Sequence, residues 1–260
     1  MIGHVDDYKG QVWPPPIEEV VWHDSLVAVV HSRWENVIDR LPDWNMVLTD
    51  PPYHVHGFSG GGFGRNAIYK RDDLREMMDF DVRPFIEAMF KLRDALVVMC
   101  YCSRLQLAPY LAVATELGLV YDVHAWWKTN AIPFTSGTYK ADVEYFVILN
   151  RGPKFFRDGQ PQHLHSKITR SPLINSKLKR HCCQKPQGMV ERYLRLNADR
   201  GTVVLDPFAG GLTTAFACRA LGFRCIAIEE DLEDCQKGIV ELNQGGLFGW
   251  QAQDPETSDT

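Results

Sequence analysis

The sequence predicts an α/β protein in which helices cover a largely parallel sheet. Two strand–helix pairs follow each other in the last third of the chain, with strands at 202–205 and 223–228 and helices at 212–221 and about 231–242. This alternation and spacing are typical of a parallel sheet. Residues 45–49 form a compact apolar run, which is typical of a strand buried on both faces. With 260 residues, of which 45% are hydrophobic, the chain is long enough to bury one substantial core.

Hydrophobic periodicity and helix-breaking residues predict the remaining elements. Ser103 is expected to cap a helix that runs to about residue 117 and that Gly118 would end. Pro186 stands just before another helical segment, a position where proline is tolerated. In chain order, the other predicted elements are one or two short strands in 20–34, a helix at 83–93, strands at 95–101, 120–127 and 143–149, and a helix at 187–196.

The sequence predicts a single domain over residues 1–260. Segment 131–180 is expected to be embedded in that domain, and its part from 152 onwards is polar with weak periodicity. The tail 243–260 is glycine-rich and then acidic, so it is predicted to be flexible. No stretch approaches the roughly 20 apolar residues of a membrane helix, and residues 1–12 mix charge and polarity. A cytoplasmic protein is therefore expected.

Positive charge is concentrated locally although the chain as a whole is acidic. Lys and Arg total 28 against 33 Asp and Glu, a formal charge of −5. Composition alone therefore does not predict a nucleic-acid partner. Between residues 167 and 180, however, five basic residues occur without an acid, which suits contact with phosphates as well as an ordinary solvated surface. They are Lys167, Arg170, Lys177, Lys179 and Arg180.

Seven cysteines are present, and their odd number and irregular spacing do not match a secreted disulfide framework. His181-Cys182-Cys183 and Cys100-x-Cys102 lack the paired ligand spacing of a zinc site. The sequence therefore predicts reduced structural thiols and no metal.

A glycine turn after the strand at 202–205 suggests a nucleotide site. The strand runs into Asp206-Pro-Phe208-Ala209-Gly210-Gly211, and a helix follows at once. In open α/β sheets, ligands bind beyond the carboxyl ends of strands and near helix N-termini. Glu229 stands 23 residues after Asp206, at the end of the next strand, where an acid can accept both hydroxyl hydrogens of a ribose. The same pattern would suit a nicotinamide enzyme or a plain tight turn.

Asp50-Pro51-Pro52-Tyr53 follows the buried strand at 45–49 and carries the candidate chemistry. The nitrogen of an aromatic amine is a poor nucleophile because its lone pair is delocalised into the ring. Two acceptors on its hydrogens, here the Asp50 carboxylate and the Pro51 carbonyl, would draw it towards tetrahedral geometry. Tyr53 offers a face on which a base that has left the duplex can stack. Asp-Pro-Pro is also a common turn former, and Tyr53 also suits ordinary packing.

These motifs together resemble the amino-methylating DNA methyltransferases, in particular the permuted β class. In that class the catalytic tetrapeptide comes first, then the target-recognition region, then the cofactor turn, and this chain has the same order over roughly residues 25–240. The segments that carry the resemblance are 41–53, Trp126 to Asn130 with Pro133 and Glu144, Gln184-Lys185-Pro186, Asp206 to Gly210 with Thr213-Thr214, and 226–229.

The resemblance implies a Rossmann-like mixed seven-stranded sheet flanked by helices, with S-adenosylmethionine as methyl donor. It also implies direct transfer to a flipped base, with double-stranded DNA as partner. A homodimer and a restriction endonuclease partner are further expectations. Asp rather than Ser at position 50 is similar to the adenine-directed members, and Lys185 is expected near the methionine end of the cofactor. The cofactor contacts implied are Asp50, Lys185, Asp206, Phe208, Ala209, Gly210, Gly211, Thr213 and Glu229.

Two departures from the family pattern are visible. The family has glycine where Leu212 stands, so this side chain is expected near the cofactor, where it would weaken binding or shift the backbone. The family also carries a Gly-Asp pair upstream of the catalytic strand, for which His31-Ser32 is the nearest match. The alternatives that stay open are a cytosine-N4 enzyme, a protein-glutamine or RNA methyltransferase, a silent DNA-binding relic and, least favoured, a dehydrogenase.

Overall fold

Nine strands form one sheet in the computed structural model, which describes residues 8, 10–53, 80–93, 96–131, 139–152, 162–174 and 184–244. The strands are β1 (Val20–His23), β2 (Val27–His31), β3 (Met46–Thr49), β4 (Val97–Cys102), β5 (Val120–Lys128), β6 (Val143–Asn150), β7 (Ile168–Ser171), β8 (Val203–Asp206) and β9 (Arg224–Glu229). The helices are α1 (Trp34–Val37), α2 (Val82–Leu92), α3 (Leu107–Glu116), α4 (Gln187–Asn197), α5 (Thr213–Leu221) and α6 (Leu232–Asn243), with short 3₁₀ turns at Ile38–Arg40 and Gln162–His165.

The order of the strands brings many strand ends to one edge of the sheet. The order is β1-β2-β9-β8-β3-β4-β6-β5-β7. Strands β2, β9, β8, β3 and β4 are parallel to one another, whereas β6 is antiparallel to both β4 and β5. The carboxyl ends of β3, β4, β5, β8 and β9 therefore share an edge with the amino end of β6. We call this the carboxyl edge.

The chain direction across the sheet reverses between β3 and β8. From β3 the chain goes on to β4 on one side, and from β8 it goes on to β9 on the other side. Such a switch point leaves a crevice beyond the strand ends, and ligands of open α/β sheets bind there. Asp50 and Asp206, at the ends of β3 and β8, stand at this crevice.

Buried side chains fill both faces of the sheet. In β3, Val47 belongs to a cluster that includes residues of α2 and α3, whereas Met46 and Leu48 belong to a cluster that includes residues of α4 and α5. Successive side chains of a strand point to opposite faces, so helices cover both sides. The run of apolar residues in β3 is buried throughout, as the sequence predicts for a central parallel strand.

The prediction that Ser103 caps α3 is wrong. The helix begins at Leu107, and residues 103–106 form a turn in which the Gln106 N–H donates to the Ser103 carbonyl at 3.1 Å. A helix from residue 104 would place Pro109 in its interior, where proline has no N–H to donate and its ring clashes with the preceding turn. The helix therefore begins close enough to Pro109 for proline to sit in its first turn.

The sheet is larger than the seven strands expected. The mixed sheet flanked by helices is confirmed, but β1 and β7 are added to it as the two outermost strands. The short strand β7 lies in the polar part of segment 131–180, where weak periodicity gives no strand signal. Strand β6 lies in the same segment but is part of the sheet. The tail beyond residue 244 lies outside the described residues. None of the helices in the described part of the chain has the length and apolar content needed to span a bilayer.

Candidate active site

The two predicted motifs meet in one crevice. The Thr49 hydroxyl, on the last residue of β3, donates to Asp206 Oδ1 at 2.6 Å and so joins the catalytic segment to the glycine turn. A pocket of about 450 Å³, open in part to solvent, lies between them. Its lining includes Thr49, Asp50, Tyr101, Gln184, Lys185, Asp206, Phe208, Ala209, Gly210, Gly211, Thr213 and Thr214.

Asp206 is a buried acid at the centre of this pocket. Its Oδ1 accepts from the Thr49 hydroxyl and from the Phe208 N–H, the latter at 3.3 Å. Burial raises the pKa of Asp206 to about 6, although the hydrogen bonds from Thr49 and Thr214 oppose that shift. Acids whose pKa is raised by burial are concentrated at functional sites of proteins.

Glu229 fixes the glycine turn from the neighbouring strand. Its Oε2 accepts from the Gly210 N–H at 2.6 Å, and its Oε1 accepts from the Asp231 N–H at 2.9 Å. Gly210 has φ +45°, a left-handed conformation that glycine adopts at little cost. Both oxygens of Glu229 therefore hold the backbone around the glycine turn.

Leu212 does not point into the pocket, so the expectation that its side chain lies near the cofactor is wrong. Its backbone has φ +58°, in the left-handed region where glycine is ordinarily found. The side chain is fully buried, and a Cβ added at Gly238 of α6 would lie 2.4 Å from Leu212 Cδ1. The turn therefore keeps a glycine-like backbone while its side chain packs against a glycine of the next helix.

Four charged side chains of alternating sign form a series of ion pairs that begins directly after β3. In order they are Asp50, Lys185, Glu144 and Lys128. Lys185 Nζ lies 2.5 Å from Asp50 Oδ2 and 3.3 Å from Glu144 Oε2. Lys128 Nζ lies 2.5 Å from Glu144 Oε1. Lys185 is 5% exposed, so its charge is balanced by these two acids inside the protein rather than by water.

The network leaves one oxygen of Asp50 available. Asp50 Oδ1 is buried and has no hydrogen-bond partner among the residues that the structure describes. Burial raises the pKa of Asp50, the charge of Lys185 opposes that shift, and Glu144 adds to it. For Glu144 itself burial is outweighed by Lys185 and Lys128, which together lower its pKa. The site therefore offers a buried carboxylate oxygen that makes no hydrogen bond to a described residue, near the Tyr53 hydroxyl, which acts to lower the pKa of Asp50.

The rest of the tetrapeptide is held by neighbours from distant parts of the chain. The Tyr53 hydroxyl donates to Glu144 Oε2 at 3.3 Å, and Lys185 Nζ lies 5.0 Å from the centre of the Tyr53 ring. The Pro52 carbonyl accepts from Gln106 Nε2 at 2.7 Å. Tyr53 is partly buried, so part of its surface remains exposed.

Several side chains that build this site were assigned no role in the sequence analysis. Glu144 and Lys128 occur in the segment that carries the family resemblance, but nothing in their spacing shows that they pair with Lys185 and Tyr53. They meet because β5 and β6 are antiparallel neighbours that bring residue 128 and residue 144 to the carboxyl edge. A buried glutamine at position 106 has no local pattern that could reveal it.

The basic cluster proposed for DNA contact is described only in part. Lys167 Nζ pairs with Asp122 Oδ1 at 2.6 Å, and its side chain is 62% exposed. The Arg170 guanidinium lies 5.0 Å from the centre of the Trp127 ring. Lys177, Lys179 and Arg180 lie outside the described residues.

The described cysteines are buried and free. They are Cys100, Cys102, Cys218, Cys225 and Cys235, whereas Cys182 and Cys183 lie outside the described residues. In the part of the chain that is described, no group of three or more His, Cys, Asp and Glu side chains is arranged to hold a metal ion.

Comparison with known proteins identifies relatives along most of the chain. The family model N6_N4_Mtase, described as DNA methylase, matches residues 44–241. The type II methyltransferase M2.LlaDCHI of Lactococcus lactis subsp. cremoris is 24% identical over 247 residues, which cover 85% of this chain and 91% of that protein. The DNA adenine methyltransferase YhdJ of Escherichia coli (strain K12) is 30% identical over 96 residues, 34% of this chain and 33% of that protein.

Solved structures share the fold. M1.HpyAVI, solved as a complex with SAM, matches with a TM-score of 0.62 at 20% identity, over 84% of this chain and 100% of that chain. The PvuII DNA methyltransferase, which is cytosine-N4-specific, matches with a TM-score of 0.65 at 12% identity, over 85% of this chain and 88% of that chain. These matches bear out the mixed α/β sheet flanked by helices.

Proposed function

The chain belongs to the N6_N4_Mtase family of DNA methylases, and from that premise we propose that it methylates the N6 amine of adenine within a specific DNA sequence. The observation that carries the proposal is the shared crevice of Asp50 and Asp206, joined by the Thr49 hydroxyl. A donor bound at the glycine turn and an amine presented to the tetrapeptide would face each other there.

S-adenosylmethionine is the methyl donor of this enzyme family, and when bound it supplies an electrophilic methyl group on a sulfonium sulfur. The residues of the crevice fit it. We assign Glu229 to the ribose hydroxyls, because its carboxylate ends β9 directly beside the glycine turn, where Oε2 accepts from the Gly210 amide. Asp206, Phe208, Ala209, Gly210, Gly211 and Thr213 would hold the rest of the nucleoside, with Lys185 and Asp50 towards the methionine end.

The chain's own contribution to the chemistry is to prepare the amine. Asp50 Oδ1 is a buried acceptor with no described protein donor, so an amine hydrogen can take that place. The Pro51 carbonyl would accept the second hydrogen. Two fixed acceptors localise the nitrogen lone pair, and their preorganisation lowers the barrier because they need not reorient during the reaction. Lys185 holds the other oxygen of Asp50 and so fixes the plane of its carboxylate.

The target base must leave the duplex before it can reach this crevice, because its amine is inaccessible in the stack. Tyr53 would stack on the extruded base. Its hydroxyl is anchored by Glu144, so the ring is held by hydrogen bonding as well as by packing. An aromatic ring that is already fixed loses little freedom when the base arrives.

Adenine is favoured over cytosine by two observations. Asp50 is similar to the adenine-directed members of the family, and the segment shared with YhdJ comes from a DNA adenine methyltransferase. The cytosine-N4 alternative is kept because the amines react alike and the cytosine-N4-specific PvuII enzyme has the same fold. A silent relic loses its best support, since Leu212 packs away from the pocket.

Recognition of the DNA sequence is assigned to segment 131–180. We propose that Lys167, Arg170, Lys177, Lys179 and Arg180 contact phosphates, which positions the duplex without specifying the sequence. Arg170 over Trp127 and the exposed Lys167 are the described members of this set. A homodimer and a restriction endonuclease partner, which the family resemblance implies, remain proposals.

The test is methylation of unmethylated genomic DNA by the purified protein with S-adenosylmethionine. Single-molecule sequencing of the product gives the modified base and the sequence around it, and mass spectrometry of the nucleosides separates N6-methyladenine from N4-methylcytosine. We expect N6-methyladenine at one short sequence. N4-methylcytosine would replace the adenine assignment with its alternative, and unmodified DNA would overturn both.

A further inference from the structure

Gln106 connects the catalytic segment to the end of a neighbouring strand. It is 1% exposed and lies in the turn between β4 and α3. Its side chain makes no capping bond to α3, although it occupies the N-cap position. Instead, Nε2 donates to the Pro52 carbonyl at 2.7 Å, and Oε1 accepts from the Ser103 N–H at 3.1 Å. Both ends of the amide are therefore used.

The bond to Pro52 acts on a segment that has few other internal degrees of freedom. The rings of Pro51 and Pro52 fix φ at both positions to about −65°. Neither proline has an N–H, so the carbonyls are the groups through which this backbone can be held. The hydrogen bond from Gln106 fixes the direction of the Pro52 carbonyl. It thereby fixes the backbone angle ψ of Pro52, which orients Tyr53.

A neutral amide suits this position. The site already holds Asp50, Glu144 and Lys185, and the charge of Lys185 acts to lower the pKa of both acids. A lysine or arginine in place of Gln106 would add a charge beside the carboxylate that must accept the amine hydrogen. Glutamine holds the carbonyl and leaves the charge balance of the site unchanged.

We propose that Gln106 is a positioning residue of the methyl-transfer site: by holding the Pro52 carbonyl it sets the Tyr53 ring relative to the acceptors of Asp50 and Pro51. The inference rests on the proposed function and deepens it. Gln106 touches neither substrate nor cofactor, so its effect should fall on the rate of the chemical step. Binding of S-adenosylmethionine depends on the glycine turn and should be unaffected.

The central test is Gln106→Met, which keeps the length of the side chain and removes both polar groups. A small misplacement of reacting groups can cost on the order of 100-fold in rate, and we expect a fall of that size in the single-turnover rate. We expect the Kd for S-adenosylmethionine, measured by calorimetry, and the Kd for cognate DNA to stay within about twofold of the wild type, because the loss is confined to the transition state.

The matched control is Tyr8→Phe, which removes a buried hydroxyl at the opposite edge of the sheet. Thermal unfolding is measured for both variants. If both have a lower Tm but Gln106→Met alone has a lower rate, the loss of rate does not come from lost stability. A folded Gln106→Met protein with the wild-type rate would overturn the inference while the proposed function stands. A wild-type protein that modifies no DNA would overturn the proposed function and the inference with it.

Gln106→Glu gives a readout that a merely structural role would not produce. The neutral form of a glutamic acid can donate to the Pro52 carbonyl, whereas the ionised form cannot, and burial favours the neutral form. We expect the ratio of the variant's rate to the wild-type rate to rise as the pH is lowered from about 8 to about 6. Titration of Asp50 and Glu144 affects both proteins and largely cancels in the ratio. A ratio independent of pH would contradict the role of the Pro52 bond.

Discussion

Asp50 differs from an ordinary buried carboxylate in having its two oxygens in unlike surroundings. Oδ2 is paired with Lys185, whereas Oδ1 is buried without a partner among the described residues. A buried acceptor without a donor is costly, and folded proteins retain few of them. The arrangement is explained if the missing donor is the amine of the substrate. It also means that Lys185 supports catalysis without itself meeting the base.

Replacement of this carboxylate should separate catalysis from cofactor binding. In Asp50→Ala the amine loses one of its two acceptors, and removal of one preorganised hydrogen-bonding group typically costs about 10²–10³ in rate. We expect a loss of at least that size in single-turnover methylation, with binding of S-adenosylmethionine largely intact by calorimetry. Glu233→Ala, on the exposed face of α6, serves as control and should keep the wild-type rate. Near-normal activity of the Asp50 variant would defeat the assignment.

Asp206 should make the stability of the ligand-free protein depend on pH. Its folded pKa of about 6 lies above its ordinary value of 3.8, so the native state binds the proton more tightly than the unfolded state does. The resulting stabilisation is complete below pH 3.8 and is lost as the pH rises through 6. It is on the order of 3 kcal/mol, because one pKa unit corresponds to about 1.4 kcal/mol.

Asp206→Asn isolates this contribution, because asparagine can still accept from Thr49 but does not titrate. We expect the free energy of unfolding of the wild type, minus that of the variant, to decline between about pH 4 and pH 7. Urea denaturation at several pH values measures it. A difference in the free energy of unfolding that does not change over this pH range would show that folding does not raise the pKa of Asp206. The variant should also bind S-adenosylmethionine more weakly at pH 7.

Sequence reasoning predicted the motif residues but not the residues that hold them. Asp50 and Asp206 are recognisable because each follows a buried strand within a rare local pattern. Glu144 and Gln106 act through contacts 91 and 54 residues away in the chain, with Tyr53 and Pro52 respectively. Such contacts arise from strand order, and a single sequence contains no local signal for them.

At the scale of elements, Gly238 of α6 packs against Leu212, the residue that precedes α5. Leu212 occupies the left-handed position before α5, and Gly238 of α6 leaves the space that its side chain fills. A glycine inside a helix is unfavourable by roughly 1 kcal/mol relative to alanine, so this one is explained by packing rather than by propensity.

Gly238→Ala should therefore destabilise the protein although alanine favours helices. The added Cβ would lie 2.4 Å from Leu212 Cδ1 and 2.6 Å from Cγ, distances that force one group to move. Overpacking of a core typically costs about 1–3 kcal/mol, and we expect a loss of this size in urea denaturation. The double variant Leu212→Gly, Gly238→Ala removes the clash. It should be more stable than the sum of the two single changes predicts, and strict additivity would contradict the contact.

The elements themselves were predicted well where hydrophobic periodicity is strong. The central strands and the helices α2, α4, α5 and α6 lie within a few residues of their predicted bounds. The start of α3 was wrong because Ser103 is a good cap, but Pro109 forbids a helix that begins there. Strand β7 was missed because only four residues pair along β5, and three of them are polar.

At the scale of the whole molecule, the carboxyl edge of the sheet and the opposite edge, where the parallel strands begin, have different roles. The carboxyl edge holds every described residue that we assign to catalysis or to the cofactor. The opposite edge is contacted by the described N-terminal segment around Tyr8 and Trp13, which we call the N-terminal arm. The Arg224 guanidinium lies 4.6 Å from the Tyr8 ring and 4.7 Å from the Trp13 ring, so the arm is anchored at the start of β9. Substitutions at that edge should alter stability and leave catalysis unchanged.

Tyr8→Phe tests this separation. The Tyr8 hydroxyl donates to the Thr202 carbonyl at 3.0 Å and accepts from the Arg224 N–H at 2.9 Å, and the residue is 2% exposed. Removal of the hydroxyl leaves a buried carbonyl and a buried amide without this partner, which typically costs about 1–3 kcal/mol.

We expect a lower free energy of unfolding by that amount in urea. The Kd for S-adenosylmethionine and the single-turnover rate of the folded variant should match the wild type, because Thr202 precedes β8 and Arg224 begins β9, whereas Asp206 and Glu229 end these strands. Tyr139→Phe is the matched control, since Tyr139 is 99% exposed and its hydroxyl faces solvent. A loss of cofactor affinity in Tyr8→Phe alone would show that the arm communicates with the carboxyl edge through the strands, and the two edges could then no longer be treated as independent.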